Sequence, residues 1–165
     1  FAWQMSKYLY TAEARGGVRF VSMQNYYNLL YREEEREMIP LCQDQQVALI
    51  PWSPLARGYL TRSRDALQDT VRSKTDEFAD SLYKNPADLD IIDRNVEVAD
   101  KLGVKPAQTA LAWVLGRPGI TAPIIGASKL PQLEDAISAV ELELPDEDKE
   151  YLEAQYTPHP ILGHN

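Results

Sequence analysis

The feature that most constrains the fold is a short apolar run that ends in prolines. Residues Val47 to Ile50 are typical of a buried strand, and Pro51 and Pro54 follow them. Because proline has no N–H to donate to a neighbouring strand, the sheet ladder is expected to stop there. An aromatic, a hydroxyl, a basic side chain and a glycine come next. This arrangement favours a ligand-binding loop at the carboxyl end of a parallel strand.

The rest of the chain alternates strand and helix patterns. The expected strands are 18–23, 47–50 and 122–125. The expected helices are 2–14, 33–45, 89–102, a helix from Pro106 that Pro118-Gly119 ends, 130–140 and 146–155, and residues 52–87 form a long aperiodic connection. This order predicts an α/β protein with a parallel sheet. Three strands of a barrel would leave two unpaired edges. Either five more strands lie upstream, or a second copy of the chain pairs with these edges in a homo-oligomer.

Composition excludes several classes of protein. The 165 residues carry a net charge of −8, which argues against a nucleic-acid partner. No apolar run reaches the ~20 residues of a membrane span, and no signal peptide is visible, which fits a cytoplasmic protein. The single cysteine, Cys42, is expected to be buried on a helix. Because Phe1 already lies in a helical pattern, we expect the chain to be a fragment.

Two side chains that follow strands could meet a planar amide ligand. The Gln24 amide can donate and accept hydrogen bonds at once, which suits a carboxamide, although taken alone it is more simply explained as a side chain that stabilises its loop. Trp52 could offer a flat face to a planar ring or be a core aromatic.

The loop after Trp52 could hold phosphate. Ser53, Pro54, Leu55, Arg57 and Gly58 offer backbone N–H groups, a hydroxyl and a close approach, and the alternative is an ordinary turn. Two further cations, Arg62 and Arg72, lie in the long connection and could approach the same ligand or be solvated surface charges.

The expected helix 130–140 begins with a second candidate anion site. Gly126, Ser128 and Lys129 precede it, and Gln132 and Asp135 lie in its first two turns. A plain capped helix is the alternative. His159 and His164 lie in an aperiodic tail and are expected to be structural or disordered. No metal-ligand spacing or nucleophile motif is present, so no metal site is expected.

Three motifs together resemble the aldo-keto reductase family. They are Gln-x-x-Tyr-Asn-Leu from Gln24, Trp-Ser-Pro-Leu-Ala-x-Gly-x-Leu from Trp52, and Gly-Ala-Ser-x-x-x-Gln-Leu-x-acid from Gly126. The resemblance runs from about Met5 to Gly163. It implies that residues 1–165 are the C-terminal half, strands six to eight, of a (β/α)8 TIM barrel.

The resemblance also implies a cofactor, NADP(H), and a role for each candidate. Gln24 would bind the nicotinamide carboxamide and Trp52 would stack on its ring. The loop Ser53–Gly58 would hold the pyrophosphate, and Arg62 and Arg72 would belong to a strap over the cofactor. The segment from Gly126 to Asp135 would bind the adenosine 2′-phosphate and adenine, with Lys129 favouring NADPH over NADH. Asp135 departs from the usual glutamate, and Ala136 stands where an asparagine is common.

The reaction implied is reduction of a small aldehyde or ketone by NADPH. The family's Asp, Tyr, Lys and His tetrad belongs to earlier strands, so no catalytic residue is assigned in this chain. A non-catalytic NADP(H)-binding half barrel is one alternative, since the family resembled includes regulatory members, the potassium-channel β subunits. A generic phosphate-binding α/β domain is the other.

Overall fold

The structure is a computed structural model that describes residues 1–69, 83 and 85–161. Its helices are α1 Ala2–Ala14, α2 Met38–Asp44, α3 Pro86–Leu102, α4 Pro106–Leu115, α5 Leu130–Ser138 and α6 Asp146–Glu153. Its strands are β1 Ser22–Met23 and β2 Ala48–Leu49, and short 3₁₀ segments cover Glu33–Glu35, Ala56–Thr61, Arg64–Asp69 and Ala139–Glu141. None of the described helices combines the length and the apolar character that crossing a membrane requires.

The predicted parallel pairing of the first two strands is confirmed. Ser22 lies opposite Ala48, and Met23 lies opposite Leu49. On the other side of β2, residues 120–124 pair in parallel through isolated bridges at Ile120 and Ile124. The prediction of a continuous strand over 122–125 is therefore wrong. The N–H groups of Thr121 and Ala122 both donate to the Leu49 carbonyl, at 2.9 and 3.3 Å, so the regular alternation is interrupted there, as in a β-bulge.

The ladder also continues past Pro51, contrary to the expectation that this proline stops it. The N–H groups of Ala48, Ile50 and Trp52 all donate toward the β1 side, the last to the carbonyl of Asn25 at 2.8 Å. Pro51 faces the opposite neighbour, where its carbonyl still accepts from the N–H of Ile124 at 2.8 Å. The proline thus costs the ladder a single donor, because alternate residues of a strand bond to opposite neighbours.

The first strand is shorter than the predicted 18–23. Val18 is 94% exposed and Val21 is 77% exposed, and only Ser22–Met23 forms a strand. Among the described residues, β1 has β2 as its strand partner, so its outer edge lacks the pairing that would extend it.

The predicted helix 33–45 is in fact two segments. The 3₁₀ segment Glu33–Glu35 ends before Glu37, whose φ of −143° is not helical, and α2 then begins at Met38. The physical reason is Pro40. Its missing N–H and its ring are tolerated only in the first turn of a helix, so the helix restarts two residues before it.

The later helices follow the sequence pattern closely. The N-cap of α3 is Asn85, whose side chain accepts from the N–H of Ala87 at 3.1 Å, and the helix ends at Gly103 with a φ of 67°. Helix α4 begins at Pro106 as predicted but ends at Leu115, before Pro118-Gly119. The core between the sheet and these helices contains the fully buried side chains of Tyr27, Leu49, Ile91, Ile92, Trp113 and Leu152.

Candidate functional site

Three candidate loops lie at one edge of the sheet. Gln24 follows β1, Trp52 follows β2, and Gly126 follows the third parallel segment. Trp52 is the central member, because it is bridged to Tyr26 on one side and to Ile124 on the other. In parallel sheets the carboxyl ends of adjacent strands share an edge, and ligands bind there.

Gln24 and Trp52 line the same cleft, which has a volume of about 180 Å³. Met23, Tyr26 and Glu34 complete much of its wall. The Gln24 side chain is exposed, and Trp52 is half-buried. A cavity of ~150 Å³ holds one benzene ring. The cleft therefore has the size of a single planar ring, with an amide and an indole at its wall.

The Trp52 ring is held from behind by an aromatic stack. The Tyr26 ring lies 4.4 Å from it at an interplanar angle of 26°, and Tyr31 lies 4.7 Å from Tyr26 at 29°. Burial raises the pKa of the Tyr26 phenol well above its usual value, so this hydroxyl stays neutral near pH 7. One face of the indole is thus used within the protein, and stacking fixes its tilt.

The loop after Trp52 has an unusual backbone. Ser53, Ala56 and Arg57 have φ values of 56°, 47° and 57°, and Gly58 has a φ of 104°. The left-handed region costs a non-glycine residue about 1–2 kcal/mol, so neighbouring contacts must hold the loop in this shape. Leu55, at φ −96° and ψ 17°, precedes left-handed Ala56. Alternation of this kind can turn N–H groups toward an anion. The N–H groups of Ala56 and Gly58 donate within the loop, to the carbonyls of Ser53 and Leu55 at 3.0 and 2.9 Å, so only the remaining N–H groups suit the predicted phosphate role.

Sequence reasoning missed the residue that holds this loop. Asn28 is fully buried, and its Nδ2 donates to the Ser53 carbonyl at 3.1 Å and to the Tyr83 hydroxyl at 3.2 Å. Its Oδ1 accepts from the N–H groups of Leu30 at 2.9 Å and Tyr31 at 3.0 Å. Its presence in Gln-x-x-Tyr-Asn-Leu is the signal that could have pointed to it.

Of the two residues predicted to belong to a strap over the cofactor, the structure describes only Arg62. Arg62 is half-buried, and its Nε donates to the Thr61 hydroxyl at 3.1 Å. This hydrogen bond holds its side chain against the neighbouring residue of its own loop. Arg72 lies outside the described residues. The nearby Arg64 instead forms ion pairs with Asp90 and Asp93 of α3.

The start of α5 is partly engaged by the chain itself. The Gln132 Oε1 accepts from the N–H groups of Ser128 at 2.9 Å and Lys129 at 3.2 Å, and so caps the helix. Asp135 accepts twice from Lys105 Nζ, at 2.7 and 2.8 Å. Gly126, Ser128 and Lys129 are exposed beside this helix start, where the macrodipole favours anions. The adenine-side roles of Gln132 and Asp135 stay predictions.

A partly buried ionic network lies beneath the loop after β1. Glu35 pairs with Arg32 at 2.9 Å and with Arg117 at 3.3 Å, and Glu153 of α6 pairs with the same two arginines at 3.0 and 2.8 Å. Burial alone would raise the pKa of Glu35, but hydrogen bonds from Arg32 and Tyr27 lower it below its usual value. Glu35 therefore stays charged at neutral pH, and the network ties the loop after β1 to α6 and to the turn that follows α4.

The tail confirms the structural prediction for His159. Its side chain is 8% exposed, and its Nε2 lies 3.0 Å from an Asp88 carboxylate oxygen. The His159 backbone N–H and the Tyr156 hydroxyl both donate to Glu33, at 2.8 Å each. His164 lies outside the described residues.

Cys42 is buried on α2 as predicted, and burial raises the pKa of its thiol to about 11. Within the described ranges, no group of three or more His, Cys, Asp or Glu side chains could hold a metal ion.

Comparison with known proteins decides the family. Residues 2–156 match the model described as "Aldo/keto reductase family". The chain belongs to the aldo/keto reductase family. This aldo/keto reductase chain therefore comes from a family of oxidoreductases that fold as (β/α)8 barrels and generally use NAD(P)H, as its resemblance implied.

Named relatives of this aldo/keto reductase chain are fungal. It is 54% identical over 153 residues to the Schizosaccharomyces pombe protein named "Putative aryl-alcohol dehydrogenase C977.14c", covering 93% of this chain and 43% of the relative. It is 44% identical over 163 residues to versiconal hemiacetal acetate reductase of Aspergillus parasiticus, covering 97% of this chain and 47% of the relative. The chain thus spans less than half the length of these relatives.

Proposed function

We propose that this chain is the NADPH-binding half, strands six to eight, of an aldo/keto reductase that reduces an aldehyde or ketone to an alcohol. The observation that carries the proposal is the ring-sized cleft lined by both Gln24 and Trp52. It lies at the sheet edge where the Ser53–Gly58 loop also begins. An amide, a stacking ring and a phosphate-compatible backbone are the parts that one nicotinamide dinucleotide requires.

Each part has a distinct role. Gln24 orients the nicotinamide through its carboxamide, while Trp52, backed by Tyr26, covers one face of the ring and excludes water from it. The left-handed loop Ser53–Gly58 receives the pyrophosphate with N–H groups other than those of Ala56 and Gly58, which donate within the loop. When bound, the cofactor supplies the hydride that reduces the carbonyl carbon. We assign the proton donor to the part of the barrel that lies outside this chain.

The preference for NADPH over NADH is assigned to Lys129. Lys129 is exposed at the start of α5, where the helix dipole, like the lysine ammonium, favours a phosphate dianion. Charge-assisted hydrogen bonds contribute about 1.5–3 kcal/mol, which is enough for at least tenfold selectivity. NADH has a free hydroxyl in place of the 2′-phosphate, so it gains nothing from this cation.

The proposed partners follow from the exposed apolar edges and from the relatives. Val18 and Val21 lie just before and beside β1 and are exposed, as are Leu130 and Ile137 of α5 and Val140 of the 3₁₀ segment that follows it. We propose that further barrel strands cover these edges, and a homo-oligomer is the second possibility. Since one relative is named an aryl-alcohol dehydrogenase, an aromatic aldehyde is the first carbonyl substrate to assay.

Cofactor titration tests the proposal directly. NADPH and NADH are titrated into the protein while cofactor fluorescence is followed. Trp52→Ala should weaken NADPH binding about tenfold through loss of stacking. Lys129→Ala should weaken NADPH about tenfold and leave NADH unchanged.

Matched controls come from α1. Trp3 is 55% exposed, and Trp3→Ala and Lys7→Ala remove the same residue types from this helix; its N-cap Phe1 lines the cleft, whereas Trp3 and Lys7 do not. Both should bind NADPH like the unsubstituted protein. Absence of NADPH binding, or equal losses in the α1 controls, would overturn the proposal.

A further inference from the structure

We propose that Asn28 is a positioning residue of the cofactor site, which sets the loop after β2 by fixing the left-handed backbone of Ser53. This inference rests on the proposed NADPH-binding function. Asn28 is 0% exposed, so its side chain cannot contact the cofactor directly. Its effect must therefore pass through the segments to which it bonds.

The amide of Asn28 uses both of its ends. Its oxygen accepts two backbone N–H groups of its own turn, from Leu30 and Tyr31. The Asn28 and Tyr31 backbones also bond to each other in both directions, at 3.1 Å each. This end makes a rigid local turn, and an oxygen acceptor is all that it requires.

The other end of the amide reaches outside that turn. The Nδ2 group donates to the Ser53 carbonyl and to the Tyr83 hydroxyl, which are 25 and 55 residues away in sequence. The Ser53 carbonyl also accepts the Ala56 N–H at 3.0 Å. The Asn28 bond therefore orients the peptide group at the start of the left-handed loop.

Ser53 is the right place for such control. It directly follows Trp52, and its φ of 56° is unfavourable for a residue with a side chain. Without the Asn28 donor, this peptide can relax toward ordinary backbone conformations. That relaxation would move the Trp52 ring and the backbone of residues 53–58, which are the parts assigned to the nicotinamide and the pyrophosphate. The adenosine end, at Ser128 and Lys129, lies on a different loop and should not change.

Two substitutions separate these functions of Asn28. Asn28→Asp keeps the acceptor for Leu30 and Tyr31 and removes both donated hydrogen bonds. Asn28→Ser forms the same kind of local turn without burying a charge, and its hydroxyl is too short to reach Ser53. Tyr83→Phe is the matched control, because it removes the other acceptor of the amide and leaves the Ser53 bond in place.

The readout compares two ligands. NADPH occupies the whole proposed site, whereas adenosine 2′-phosphate occupies only the end at Lys129. Both are titrated into each variant, NADPH by fluorescence and adenosine 2′-phosphate by NMR, after thermal melts have shown that the variants are folded. Asn28→Asp and Asn28→Ser should weaken NADPH about tenfold, the value of one buried hydrogen bond, and leave adenosine 2′-phosphate unchanged. Tyr83→Phe should bind both ligands normally.

The outcomes are distinct. Equal weakening of both ligands would show that Asn28 only stabilises the fold, and unchanged NADPH affinity in Asn28→Ser would show that Ser53 does not need it. Either result overturns this inference while the proposed function stands. If the unsubstituted protein binds neither ligand, the proposed function fails and the inference fails with it.

Discussion

Arg32 donates two parallel hydrogen bonds to Glu35, from Nε to Oε1 at 3.0 Å and from Nη2 to Oε2 at 2.9 Å. The same guanidinium pairs with Glu153 at 3.0 Å and lies over the Trp113 and Tyr156 rings, at 5.4 and 5.1 Å from their centroids. One planar cation thus joins the loop after β1 to α4, α6 and the tail. This loop carries Gln24 and Asn28, so the network supports the proposed site from below.

Arg32→Lys should destabilise the protein although the charge is kept. Lysine cannot make the forked contact or stack as a guanidinium does. We expect a loss of about 2 kcal/mol in the free energy of unfolding, measured by urea denaturation. The matched control is Arg36→Lys, because Arg36 is 66% exposed in its pair with Glu33. That change should cost less than about 0.5 kcal/mol. Similar losses in both variants would contradict the assignment.

The His159–Asp88 pair should make stability fall as pH rises. The hydrogen bond to Asp88 raises the pKa of His159 above its usual value, and the nearby Glu33 carboxylate adds to this. The folded state therefore binds this proton more tightly than the unfolded state. The stabilisation is complete below the unfolded pKa of about 6.5 and is lost as pH rises through the raised folded pKa.

Thermal melts at a series of pH values test this coupling. His159→Gln should remove the part of the decline that begins above about pH 6.5. His164→Gln keeps the imidazole at position 159 and should melt like the unsubstituted protein at every pH. A decline that persists undiminished in His159→Gln would assign it to another group.

Gly58→Ala should destabilise the loop through its backbone alone. The φ of Gly58 is 104°, and an added Cβ would meet no heavy atom within 4 Å. The expected loss is about 1 kcal/mol, measured by urea denaturation, because only the backbone conformation is penalised. Gly126→Ala is the control, since Gly126 also has open space and its φ lies outside the positive range. A loss in Gly126→Ala as large as that in Gly58→Ala would show that backbone strain is not the cause.

Tyr26→Leu should weaken NADPH binding, because it removes the ring that backs Trp52. An aromatic pair contributes about 0.5–1.5 kcal/mol, so a weakening of about threefold to tenfold is expected in a fluorescence titration. Tyr26→Phe retains the ring and loses only the hydroxyl, so its affinity should match that of the unsubstituted protein. Weakening in Tyr26→Phe as large as in Tyr26→Leu would show that stacking is not responsible.

Local rules predicted much of this molecule because they act over a few residues. Pro106 at the start of α4 and Gly103 at the end of α3 were both predicted, whereas α3 was expected to start at 89 and starts at Pro86, after the Asn85 cap. The split of the 33–45 helix was also within reach, because Pro40 has the same effect in any helix. The position of Trp52 just after a buried strand left a ligand-facing ring and a core aromatic as alternatives, and the structure places Trp52 half-buried at the wall of the cleft.

The sequence by itself determined the order of strands and helices, the motifs and hence the family. Tertiary structure alone decided which residues hold those motifs in place. Asn28 meets Ser53 and Tyr83, Lys105 meets Asp135, and His159 meets Asp88 across 71 positions of sequence. It also decided that β2 continues past Pro51, because the side to which each N–H points depends on the register with both neighbours. Periodicity reports which side of one element is buried, whereas these contacts depend on how separate elements pack against each other.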